Sequence, residues 1–149
     1  MRQKRIISLL PSCTEIACAL DAAGQLVGRS HECDFPPQVR DLPVCTAPKL
    51  DVHAASGEID RQVKDLLQHA VSIYRIDLEK LKELEPDLIL TQAQCEVCAV
   101  SLPEVEQAVA KWTGGRPQIL SLSPNRLADI WEDIRRVAGA LEVSERGRE

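Results

Sequence analysis

Two cysteines at Cys95-x-x-Cys98 leave the apolar run Leu88-Ile89-Leu90, which reads as a buried strand. Thiolate sulfur is a ligand for soft metals, and a pair at this spacing closes on one ion. Similar chemistry follows other apolar runs. Ser12, Cys13 and Glu15 come after Arg5–Leu10, and His31, Glu32, Cys33 and Asp34 after Gln25–Arg29. Gln92, Gln94 and Glu96 flank the cysteine pair, and Ser121 and Ser123 close a fourth run. If these strands are parallel, all of these residues leave at one sheet edge, where open α/β sheets bind ligands. Cys33, Cys95 and Cys98, with His31 or Cys13 as a fourth donor, then form a candidate soft-metal set; zinc or iron would suit it. The plainer reading stands beside this one. Free cysteine packs as a small hydrophobe, and a single loop histidine is as well explained by a hydrogen bond as by a metal. Cys18 reads as packing at a helix flank and His69 as solvated, while Cys45 and His53 stay open between the two readings.

The elements that must position these groups follow from hydrophobic spacing. Arg5–Leu10 is nearly continuous in apolar residues, as suits a parallel strand covered on both faces. Ser12-x-x-Glu15 predicts a capped helix start, with Ile16, Ala19, Leu20 and Ala23 on its buried face and Gly24 as its stop. Gln25–Arg29 predicts a second strand, after which Phe35-Pro36-Pro37 turns the chain away. Val39–Ala55 carries Pro43 and Pro48 and predicts only an irregular crossing. Helices are predicted from Ser56 to Ser72 and after an Asp77 cap, with Leu78, Leu81 and Leu84 inward. Ser101-x-x-Glu104 is a second capping box, opening a helix that buries Val105, Ala108, Val109 and Trp112 and ends at Gly114-Gly115. Ile119–Leu122 is the fourth strand. Ser123-Pro124-Asn125 then opens a last helix with Leu127, Ile130, Trp131, Ile134, Val137, Ala138 and Leu141 at helical spacing. Strand–helix alternation predicts an α/β fold, a doubly wound four-stranded parallel sheet in the order 2-1-3-4 with helices on both faces. Residues 1–143 form one lobe in this reading, and 144–149 a polar tail.

Composition narrows the function. A chain of 149 residues with 44% apolar content can bury a core of its own. A net charge of −5 argues against nucleic acid, and 3% aromatics leave little to stack on bases. No segment approaches the roughly 20 apolar residues of a membrane span, and the run after the basic start stops at Pro11, so a cytoplasmic location is expected. Without an export signal, six cysteines point to metal, redox or packing roles rather than a disulfide framework. There is no Gly-rich phosphate loop and no nucleophile elbow, so no enzyme signature stands out. The helix starting at Ser12 is expected to lower the pKa of Cys13 through its free N–H groups.

Arg5-Ile6-Ile7-Ser8-Leu9-Leu10-Pro11-Ser12-Cys13-Thr14-Glu15-Ile16 resembles the first strand and helix of the class III substrate-binding proteins of ABC importers for cobalamin and iron-siderophores. Val27-Gly28-Arg29-Ser30 with Asp34-Phe35-Pro36-Pro37, and Leu81-x-x-Leu84-Glu85-Pro86-Asp87-Leu88, match further segments in the same order. The resemblance covers most of residues 5–142. Through Ser12-x-Thr14-Glu15 and Cys95-Glu96-Val97-Cys98 the cobalamin branch is the most similar. It implies a non-catalytic receptor with two α/β lobes joined by a long helix, the ligand between them. That ligand would be a corrinoid (cobalamin) or another metal chelate, and an ABC importer would be a partner. Ser12, Cys13, Thr14, Glu15, His31, Glu32, Gln92, Gln94 and Glu96 are the expected ligand-binding residues, with Glu15 in the region that meets the transporter. The chain ends near where the joining helix would begin, so a second, C-terminal lobe is expected as partner. Surface near Trp131 and Leu141 would then be uncovered and open to self-association. The alternative reading is a cytoplasmic metal- or thiol-dependent redox protein or enzyme using Cys33, Cys95 and Cys98.

Overall fold

The computed structural model describes residues 3–68, 73–93, 100–110 and 116–148. Strand β1 (Ile6–Ser8) leads into helix α1 (Pro11–Ala19) and then β2 (Leu26–Arg29). A short ribbon strand β3 (Thr46–Pro48) and helix α2 (Ser56–Gln68) precede β4 (Tyr74–Ile76) and α3 (Leu78–Leu84). The chain closes with β5 (Leu88–Gln92), α4 (Leu102–Ala110), β6 (Gln118–Leu122) and α5 (Leu127–Ala140).

The main sheet has the order β2-β1-β5-β6, with every pairing parallel. This is the expected 2-1-3-4 arrangement. Alternate strand residues feed two cores. Ile6, Leu88, Leu90 and Leu122 meet Cys13, Ala17, Val137 and Ala138 of α1 and α5. Ile7, Leu9 and Ile89 meet Leu81, Val105 and Val109 of α3 and α4. The continuous apolar runs of the central strands exist because both faces are covered.

Local signals hold at two helix starts. The Asp77 carboxylate accepts the Lys80 N–H at 2.9 Å. Asp77→Ala should therefore lower stability by about 1 kcal/mol, read from a urea midpoint; an unchanged midpoint would show the cap to be idle. The Ser101 hydroxyl accepts the Glu104 N–H at 3.4 Å, and Glu104 also pairs with Lys49 at 2.7 Å.

Elsewhere the structure corrects the local reading. α1 starts at Pro11 with Leu10 as its cap residue, so Ser12 lies inside the first turn and does not cap. Proline fits there because its missing N–H is one the first turn leaves unpaired. The helix stops at Leu20, and Asp21 takes the left-handed conformation (φ 57°) assigned to Gly24. Ala23 accordingly lies beyond the helix. β3 and β4, unread in the sequence, pair antiparallel as a separate ribbon, Thr46 opposite Ile76 and Pro48 opposite Tyr74. In α5, Leu127, Ile130 and Trp131 are 69%, 41% and 54% exposed, whereas Asp133 is buried. Leu141 is buried too, so the uncovered surface is Leu127, Ile130 and Trp131 without it. Residues 69–72 and 111–115, with His69, Trp112 and Gly114-Gly115, lie outside the described residues.

Candidate functional site

β1 and β5 are neighbours at the centre of the sheet. The chain leaves β1 through α1 toward β2 on one side, and leaves β5 through α4 toward β6 on the other. The crevice between two oppositely directed crossovers is the ligand position of doubly wound sheets. The α1 N-terminus lies at this switch point, and the loop after β2 leaves one strand further out at the same sheet edge.

At the α1 N-terminus the first-turn residues divide by burial. Ser12 and Glu15 are exposed; Cys13 and Thr14 are fully buried. The Thr14 hydroxyl donates to Ser8 Oγ at 2.8 Å and lies 3.1 Å from Cys33 Sγ. Burial, helped by the nearby Cys33 and Asp133 and opposed by a Ser12 hydrogen bond, pushes the Cys13 thiol up to about 12. This overturns the expected thiolate. The helix end does favour an anion, but loss of water at a fully enclosed sulfur is the larger effect. Burial likewise raises Cys33 and, to about 11, Cys45. Cys18 is half-buried and also raised, mainly by burial.

In the loop after β2, side chains alternate in direction. Cys33 turns inward, its sulfur 4.0 Å from Ser8 O and 3.1 Å from Thr14 Oγ1. His31 turns instead to the ribbon. Its Nδ1 lies 2.7 Å from Thr46 Oγ1 and its backbone N–H donates to the same oxygen at 3.1 Å. Nε2 lies 3.5 Å from Glu32 Oε1. The Tyr74 ring packs edge-on to the imidazole at 4.9 Å, and its hydroxyl donates to Glu32 Oε1 at 3.1 Å. Partial burial lowers the His31 pKa, with Glu32 opposing and Arg29 assisting, so the neutral imidazole is favoured.

The structure thus brings His31 and Glu32 together with Tyr74, which the sequence reading missed. The signal was present in Tyr74-Arg75-Ile76, an alternating triplet before the Asp77 cap, too short to read as a strand alone. Cys33 faces other partners than His31 does. Among the described residues no group of three or more His, Cys, Asp or Glu side chains could hold a metal ion. Gln92 is half-buried at the end of β5. Gln94, Cys95, Glu96 and Cys98 lie outside the described residues. Cys45 is a buried packing residue, and His53 is exposed on its loop.

No family model matches the chain, and no curated protein matches it in sequence. Solved structures do match. The periplasmic heme-binding protein RhuT from Roseiflexus sp. RS-1 is 24% identical over 99% of this chain and 44% of its own, with a TM-score of 0.67. The periplasmic vitamin B12-binding protein BtuF of Vibrio cholerae is 26% identical over 97% of this chain and 44% of its own, TM-score 0.62. The periplasmic heme-binding protein HutB of Vibrio cholerae is 18% identical over 99% and 44%, TM-score 0.66. The chain spans under half the length of each. All three are named as periplasmic, which lends no support to the cytoplasmic location expected above; among the described residues no helix is long and apolar enough to cross a membrane. In fold, the chain is similar to a single lobe of periplasmic heme- and vitamin B12-binding proteins of the ABC-transporter substrate-binding class.

Proposed function

We propose that the chain is one lobe of a non-catalytic binding protein for a planar metal chelate of the heme or corrinoid class, which it hands to an ABC importer. The observation carrying this reading is the His31–Glu32–Tyr74 cluster between the loop after β2 and the β3–β4 ribbon. An imidazole and a phenol side by side are nitrogen and oxygen donors for a chelated metal, and a phenol oxygen is a hard donor that suits iron(III). We therefore favour an iron chelate such as heme over the corrinoid suggested by the sequence. Ser12 and Gln92 line the same edge in this reading, and Gln94, Cys95, Glu96 and Cys98 follow Gln92 in the sequence. Cys13, Thr14 and Cys33 support the edge from below, because they are buried. Glu15, exposed one turn into α1, is left for the transporter. The neighbours bind heme or vitamin B12 by name, which agrees with the chelate class. The thiol-redox alternative rests on Cys33, Cys95 and Cys98, and at Cys33 burial raises the thiol pKa and disfavours the reactive thiolate.

The test is a titration with hemin and with cyanocobalamin, followed by absorbance, on this chain and on a longer polypeptide that supplies a second lobe. A shifted hemin band, weakened about tenfold or more by Tyr74→Phe combined with His31→Ala, is expected, since each removes a metal donor. Binding of cyanocobalamin alone would move the ligand to the corrinoid class. Failure of both pigments on the two-lobed polypeptide would overturn the reading.

A further inference from the structure

We infer that Arg29 is the positioning residue of this ligand edge: its guanidinium holds the loop that carries His31 and Glu32 in the conformation the edge requires. The inference rests on the chelate-binding reading for its functional consequence, but its structural basis is independent.

Arg29 is the last residue of β2, and its backbone is locked on both sides. Its N–H donates to Pro43 O at 2.9 Å and its carbonyl accepts the Cys45 N–H at 2.8 Å. With the backbone fixed, the side chain reaches back over the loop it precedes. Nη1 donates to Ser30 O at 3.1 Å and to Cys33 O at 2.9 Å, bracketing His31 and Glu32 from both ends. Nη2 donates to Arg40 O at 2.9 Å, tying the same loop to the 3-10 turn Pro37–Asp41. Three carbonyls from two segments converge on one planar cation. The three bonds come from two separate nitrogens of a rigid plane, Nη1 and Nη2, whereas a lysine ammonium has its three donors on one atom. Among the described residues no carboxylate forms an ion pair with Arg29, so its bonds serve the loop backbone and not charge neutralisation.

This bracketing explains why neighbours in the loop face opposite ways. With Ser30 O and Cys33 O both turned to the guanidinium, the intervening residues bow outward. His31 then meets Thr46 and Tyr74, while Cys33 drops onto Thr14. The ribbon supplies the outer wall through Thr46 and Tyr74, and Arg29 supplies the inner anchor. Losing the anchor should leave the sheet intact, because the strand pairings use backbone atoms only.

The experiment compares Arg29→Lys and Arg29→Ala with the unaltered chain in two readouts. The first needs no ligand: NMR cross-peaks between the His31 and Tyr74 rings, with far-UV circular dichroism reporting the fold. The second is the hemin titration. Expected for both variants are a native dichroism spectrum, loss of the ring cross-peaks and hemin affinity reduced about tenfold or more, since charge-assisted bonds to the loop carbonyls are removed. Guanidinium chloride at about 10 mM, far below denaturing concentration, should partly restore both readouts in Arg29→Ala and leave Arg29→Lys unchanged. Folded variants that keep the cross-peaks and the affinity would overturn the inference. So would unfolding of both variants, because Arg29 would then be holding the fold and not the site. If the unaltered chain and its two-lobed form bind no hemin, the chelate reading falls, while the ring cross-peaks still decide the role of Arg29.

Discussion

Raising the pH above 9 is expected to destabilise this protein steeply, through thiols that take no part in any disulfide among the described residues. Cys13 is fully buried, and its pKa moves from 9.0 to about 12 on folding. Cys45 moves from 9.0 to about 11, and Cys33 rises as well. Burial is the leading cause in each case. The direction of the effect follows from proton counts. Below pH 9 these thiols are neutral in both states, and their contribution is fully present. Between 9 and the folded pKa, the unfolded chain releases protons that the folded chain keeps. Stability then falls with pH, by up to roughly 1.4 kcal/mol per pH unit for each thiol involved. Two thiols together amount to several kcal/mol, a large part of what a domain of this size has. Urea midpoints at pH 7, 9, 10 and 11 should be level to 9 and then drop. Tyrosine and lysine titrate in the same range, so the control is Cys13→Ala with Cys45→Ala, which should flatten the slope. An equally steep slope in that double variant would assign the loss to other groups.

The second large effect is expected at Gly28. This glycine pairs with Ile7 in the sheet, and a Cβ placed on it would lie 2.7 Å from Cys45 Sγ, 2.8 Å from Leu84 Cδ1 and 3.2 Å from Ile7 Cγ1. Contacts this short force neighbours to move. The Leu84 methyl can swing, but Ile7 belongs to a central strand and Cys45 is held by backbone bonds to Arg29 and Asp77. Gly28→Ala should lower stability by about 1–3 kcal/mol, and Gly28→Val by more. The partner change Cys45→Ala vacates the nearest atom, so the two should be non-additive, with part of the loss recovered in the double variant. A Gly28→Ala protein as stable as the parent would mean that the packing there is looser than the distances indicate.

These two effects share a feature: each depends on an atom brought in from elsewhere in the chain. The same division separates what could be read in advance from what could not. The parallel sheet and its order were legible in the sequence, because Ile6-Ile7 and Leu88-Ile89-Leu90 are apolar on both faces and the segments between them carry helical spacing. The Asp77 and Ser101 starts were legible because a cap bonds within three residues of itself. α5 was legible as a helix but not in its exposed end. Leu127, Ile130 and Trp131 continue the apolar spacing, yet only packing on α1 and the sheet selects Val137, Ala138 and Leu141 for burial, with Asp133 among them.

At the site, residue order alone implied that polar and sulfur-bearing residues follow the strand ends, since parallel strands all leave at one edge. Which of the described ones face outward depends on packing between distant segments. His31 and Cys33 are two residues apart, and their opposite directions come from the carbonyls that Arg29 gathers. Tyr74 reaches Glu32 across 42 residues of chain only because β3 and β4 pair as a ribbon beside the loop. Cys13 is at a helix start that favours a thiolate, but enclosure by Cys33, Asp133 and the core reverses the effect. Spacing along a chain specifies periodicity and local caps; direction, burial and long-range partners arise when separate elements close on one another.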